Sequence, residues 1–69
     1  MFNKLTIKAA RVNANLTQEE LAKRVGVSKD TVGKWERGTS FPSVLKIPLI
    51  EKACNIKYED IIFLPNNNA

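Results

Sequence analysis

Two helix starts separated by one very short link constrain this chain more than any other feature. Thr17 carries a hydroxyl suited to an N-cap, and Glu20 follows at the offset of a capping box, ahead of Leu21, Ala22 and Val25. This spacing predicts a helix that ends at about Gly26. Ser28 is the next N-cap candidate, and the run Lys29 to Glu36 follows it with Val32 and Trp35 on one face. Val25-Gly26-Val27-Ser28 leaves about three residues between the two helices, a link suited to helices that cross steeply rather than run antiparallel. Gly26 can supply the positive φ of such a turn, Val27 can plug the space between the helices, and Ala22 is small where they come closest.

A pair of this kind is a helix-turn-helix, and the rest of the chain reads as its scaffold. Thr6 is a candidate N-cap for an earlier helix with Ile7, Ala10 and Ala14 at helical spacing, stopping near Asn15, a residue type that tolerates the left-handed conformation. Gly38 and Pro42 bracket an irregular loop. A fourth helix is expected over roughly Leu45 to Ala53 and a short fifth over roughly Tyr58 to Phe63. No strand is expected, since Pro42 and Pro48 interrupt the apolar run Phe41 to Ile50. The expectation is therefore an all-α fold, a compact bundle of about five short helices. It forms a single domain over residues 1–65 and leaves 66–69, with Asn66-Asn67-Asn68, as a frayed tail.

Sixty-nine residues bury only about 60% of the surface the unfolded chain exposes, so stability is expected to be modest. The single cysteine, Cys54, has no internal partner and no histidine to join it in a zinc site, and it is read as a core filler. No metal, cofactor or small-molecule ligand is expected. An enzyme is disfavoured by the lack of histidine, of a nucleophile and base arrangement, and of a phosphate-cradling glycine loop. No secretory signal or membrane span of ~20 apolar residues is visible, which makes the cytoplasm the expected compartment.

The net charge is +4, and the excess sits in the N-terminal half. Lys4, Lys8 and Arg11 have no acid among residues 1–16, and Lys23, Arg24, Lys29, Lys34 and Arg37 outnumber Glu19, Glu20, Asp30 and Glu36 in 17–38. A polyanion suits such a surface.

The stretch Leu16-Thr17-Gln18-Glu19-Glu20-Leu21-Ala22, then Gly26-Val27-Ser28, Thr31-Val32, Trp35-Glu36-Arg37-Gly38 and Pro42, closely resembles the phage repressor and Cro family of helix-turn-helix DNA-binding proteins. The register is similar from Ile7 and Arg11 to Ile56 and Ile61. The resemblance implies a lambda-repressor-like DNA-binding domain whose helix at about 28–36 enters the DNA major groove. By the same resemblance, Thr17 and Gln18 open the preceding helix against the phosphate backbone, with the Gln18 side chain also near a base edge and free helix amides adding donors. Ser28, Lys29, Asp30, Thr31 and Lys34 take the groove-facing positions, and Arg37, Thr39 and Ser40 stand where the family makes a second backbone contact.

Side-chain chemistry gives these positions distinct tasks. Lys29 and Lys34 can donate to guanine O6 and N7, Asp30 can accept from cytosine N4, and Thr31 can hydrogen-bond or touch a thymine methyl. Asp30 and Lys34 are also spaced as an exposed helical ion pair, so Asp30 is expected both to read and to aim Lys34. Gly33 is unfavourable in a helix interior, and its missing side chain is expected to permit close approach to DNA. Arg11 and Glu36 match a pair the family uses, and they are expected to act structurally, tying the recognition helix to the scaffold. Trp35 is expected in the core beside helix 4 and Phe41, with Phe41 serving as a lid or a dimer contact. Pro48 either delays helix 4 to near Ile47 or kinks a helix begun at Ser43.

The expected function is transcriptional regulation, as a repressor or Cro-like switch protein bound as a homodimer to a palindromic operator in double-stranded DNA. The alternative is an antitoxin-like or anti-repressor-binding module that meets a protein partner through the apolar end Ile61-Ile62-Phe63-Leu64.

Overall fold

A computed structural model describes residues 4–63. Leu64, the expected tail at 66–69 and the outer limit of the expected domain lie outside the described residues. The elements run in the order β1 (Leu5–Thr6), α1 (Ile7–Asn13), α2 (Gln18–Val25), α3 (Lys29–Arg37), α4 (Ile47–Cys54), a single 3-10 turn (Tyr58–Asp60) and β2 (Ile61–Ile62).

The first three helices start and stop where the local chemistry directs. Thr6 Oγ1 accepts from the amide of Ala9 and caps α1, while Asn15 adopts a φ of 61° just past its end. Thr17 forms the full capping box, with Glu20 N–H donating to Thr17 Oγ1 at 3.0 Å and Thr17 N–H donating to Glu20 Oε1 at 2.8 Å. Gly26 ends α2 at a φ of 76°, and the amides of Gly26 and Val27 both close on the carbonyl of Ala22. Ser28 Oγ then accepts from Thr31 N–H at 3.1 Å and starts α3, which Gly38 ends at a φ of 79°.

The C-terminal third settles one open alternative and departs from expectation in two ways. Helix α4 begins at Ile47, so Pro48 falls in the first turn, where its missing N–H has no helical partner to lose. The delayed start, rather than a kink, is the outcome. The expected fifth helix is only the 3-10 turn, because the chain leaves it at Ile61 to pair with the start of the fold. The expectation of no strand is likewise corrected. Leu5 and Thr6 pair in parallel with Ile61 and Ile62, a two-residue ladder that joins distant parts of the sequence. So short a pairing leaves no alternating pattern to detect.

The core gathers Ile7, Ala10, Leu16, Leu21, Ala22, Val25, Val32, Trp35, Ile50, Cys54 and Ile61 around the α2–α3 contact, the most extensive in the fold. Val27 packs against this cluster as a partly buried plug. Cys54 is the core filler expected of it, and burial raises its thiol pKa, keeping it protonated. Trp35 is buried as expected. The Phe41 ring meets Phe63 edge to face at 6.3 Å and remains largely exposed. The main neighbours of α3 are α2 and then α1.

Candidate nucleic-acid interface

Helix α3 has two unlike faces. Val32 and Trp35 are buried, whereas Lys29, Asp30 and Lys34 are exposed along the opposite edge. Lys34 Nζ lies 3.6 Å from Asp30 Oδ2, and their side chains remain 52% and 74% exposed. This is the exposed pair anticipated from spacing, and solvent screening limits it to about 0.3–0.5 kcal/mol. Its two ends therefore stay accessible to a ligand.

The hydroxyls on this edge are more committed than the sequence indicated. Ser28 Oγ caps the helix and also lies 3.0 Å from Thr31 Oγ1, so the two expected contact residues bind one another. Thr39 has both its amide, at 3.0 Å, and its hydroxyl, at 3.2 Å, directed to the carbonyl of Lys34. The single hydroxyl hydrogen of Thr39 is thus used in ending α3. Ser40 is half-buried beside it.

On the side of α3 that faces α1 and α2, one carboxylate organises three elements. Arg11 Nε donates to Glu36 Oε2 at 2.6 Å, and the two side chains are only 11% and 6% exposed. Arg11 also donates through Nη1 to the carbonyl of Leu16 at 2.7 Å, just before α2. Gln18 Nε2 donates to Glu36 Oε1 at 2.9 Å. Arg11 and Glu36 were anticipated as a structural pair; the inclusion of Gln18 was not. With one amide hydrogen held by Glu36, Gln18 keeps the other and its carbonyl oxygen for a ligand. The hydrogen bond also fixes where that amide sits, at the start of α2.

Gly33 differs from the expectation placed on it. It is buried, and the space a Cβ would occupy is bordered by Arg37 and Gln18 side chains rather than open. Arg37 itself is exposed at the end of α3. The expected contact residues thus fall into an outer row of Lys29, Asp30 and Lys34, a capping pair of Ser28 and Thr31, and a flank containing Gln18 and Arg37. Thr17 stands at the start of α2, its hydroxyl used in the capping box.

The described residues contain no group of three or more acidic, histidine or cysteine side chains that could hold a metal ion. None of the described helices is long and apolar enough to cross a membrane.

Comparison with known proteins agrees with this geometry. The helix-turn-helix family model matches residues 7–61. An uncharacterized HTH-type transcriptional regulator of Archaeoglobus fulgidus is 47% identical over 55 residues, covering 80% of this chain and 78% of the relative. The uncharacterized HTH-type transcriptional regulator YgzD of Bacillus subtilis is 37% identical over 62 residues, covering 90% of this chain and 94% of the relative. The antitoxin PezA of Streptococcus pneumoniae is 39% identical over 56 residues, 81% of this chain but only 35% of the antitoxin. A capped two-helix unit, a basic exposed edge and a match over most of the chain lead to one conclusion: this chain belongs to the Cro/C1-type helix-turn-helix family of DNA-binding transcriptional regulators.

Proposed function

We propose that the chain is a repressor or Cro-like switch protein that binds a palindromic operator as a homodimer, inserting α3 into the major groove. The observation that carries this reading is the division of α3. Its apolar face is anchored by Val32, Trp35 and the Arg11–Glu36 pair, which leaves Lys29, Asp30 and Lys34 outward on a fixed rod. In this reading Lys29 and Lys34 donate to guanine, Asp30 accepts from cytosine or aims Lys34, and Thr31 meets a thymine methyl. Gln18, Arg37 and Ser40 position the protein on phosphates together with the first amides of α2, while Thr17, Ser28 and Thr39 contribute mainly by holding helix ends. The function is binding, with no catalytic step, and the site of action is the nucleoid.

A second copy supplies the other half-site. Val44 and Leu45 are 83% and 81% exposed, and Phe41, Pro42, Ile47, Pro48, Tyr58 and Phe63 line a hollow beside them. An apolar surface of this kind on so small a domain suits a partner, and two copies would present recognition helices about 34 Å apart. The resemblance to an antitoxin favours a second reading, in which the same surface meets a different protein and DNA binding is secondary.

Selection from a random duplex pool tests the first reading. A palindromic consensus with half-sites one helical turn apart is expected, and Lys34→Ala should relax the preference at one position by roughly 1–3 kcal/mol. Affinity should also fall steeply with salt. A flat salt titration would favour the antitoxin-like module.

A further inference from the structure

Gly33 is buried in α3 although it has no side chain, and its bare face is covered by a cation. A Cβ at this position would stand 3.1 Å from Arg37 Nη1 and 3.9 Å from both Arg37 Cζ and Gln18 Nε2. The longer distances are ordinary van der Waals contact; the shortest is not. An added methyl therefore requires the Arg37 guanidinium to shift by a few tenths of an ångström and leaves Gln18 in place. Arg37 lies one helical turn after Gly33, so its side chain runs back along α3, and its Nη1 and Gln18 Nε2 both come within 4 Å of that one point.

Among the described residues Arg37 makes no ion pair, and the nearby carboxylate of Glu36 is occupied by Arg11 and Gln18. Its planar set of donors is left open, a geometry that fits the oxygens of a phosphate. Glycine is meanwhile the least favourable residue after proline for a helix interior. A helix weakened at the position that a cation and a second donor both border suggests a use for that cation.

We propose that Gly33 is a positioning residue for DNA binding, its missing side chain seating the Arg37 guanidinium beside Gln18 so that the two grip one backbone phosphate. The proposal rests on the DNA-binding reading above. It differs from simple clearance, in which the glycine would be bare because DNA itself approaches it. In the clearance case an added methyl strikes the duplex; in the seating case it acts only through Arg37.

The experiment uses the full chain and a short duplex of mixed sequence, with Gly33→Ala, Arg37→Ala and the double variant. Gly33→Ala should raise Tm by about 4 °C, because alanine favours the helix and the Arg37 tip can move aside cheaply. It should nevertheless weaken DNA binding roughly fivefold and lower the salt slope by about 0.9, the loss of one phosphate contact. Arg37→Ala should lower the slope equally, and adding Gly33→Ala to it should change affinity no further. The same loss from Gly33→Ala in both backgrounds, or no loss in either, would overturn the proposal. Relaxation of the Arg37 Nε–H signal in the free protein gives a reading independent of DNA. It should show an ordered side chain that loosens in Gly33→Ala, and equal mobility in both overturns the seat. An ordered Arg37 with a flat wild-type salt titration would overturn the DNA-binding reading and the phosphate grip with it.

Discussion

The unit formed by α2 and α3 and the segment after Gly38 follow different rules. In the first, every helix end has a local reason: Thr17 and Ser28 cap the starts, and Gly26 and Gly38 take left-handed conformations at the ends. In the second, Lys46 precedes α4 without any side-chain cap, and Pro48 occupies its first turn. The expected last helix gives way to a 3-10 turn and a strand. The difference lies at the helix starts, side-chain capped in the first and uncapped in the second, since α4 also ends on a left-handed residue, Asn55. On the proposed function the division has a use: a helix that reads DNA must be fixed in direction, and the apolar groups exposed in the C-terminal segment are free to meet a second copy.

The sharpest attack on this contrast is Glu36→Ala. It leaves Arg11 nearly buried without its carboxylate and frees Gln18, and should cost about 3–5 kcal/mol in thermal or denaturant unfolding. For a domain of this size that approaches total stability. A loss under about 1 kcal/mol would show that caps alone fix α3. Ser28→Ala is next, with an expected loss of about 1 kcal/mol from removing the cap. No measurable loss would place the α3 start under tertiary control, like that of α4.

Pro48→Ala probes the other side of the comparison. A first-turn proline mainly restricts the unfolded chain, so replacing it should destabilise by about 0.5 kcal/mol. A proline kinking a helix interior would give the opposite sign, a gain of about 3 kcal/mol.

The smallest effect concerns Glu20, whose carboxyl is held below its ordinary pKa chiefly by the Thr17 amide, then by the Thr17 hydroxyl, Arg24 and Lys23, against some desolvation. A carboxyl with a lower pKa folded than unfolded stabilises above the unfolded value and loses that contribution as pH falls through the folded one. Wild type should therefore lose slightly more Tm than Glu20→Gln between about pH 5 and pH 3. Equal acid slopes would mean that ionisation of Glu20 adds nothing to the capping box.

The site was legible in the sequence to the extent that it depends on offsets along one helix. The Asp30–Lys34 pair and the buried face of Val32 and Trp35 follow from helical spacing. Gln18 joining Glu36, and Arg37 covering Gly33, do not, because each requires α2 and α3 to be placed against one another or a long side chain to choose a rotamer. The Thr39 hydrogen bond is hidden for a related reason: a hydroxyl after a helix looks the same in sequence whether its hydrogen faces a ligand or the carbonyl of Lys34.

The sequence by itself determined the helix-turn-helix, since capping and turn residues act within a few positions of one another and need no distant partner. Only the tertiary structure decided the delayed start of α4, the pairing of Leu5–Thr6 with Ile61–Ile62, and the joining of Gln18 to the Arg11–Glu36 pair. Each joins groups far apart in the chain, and its free energy exists only after the core has brought them together.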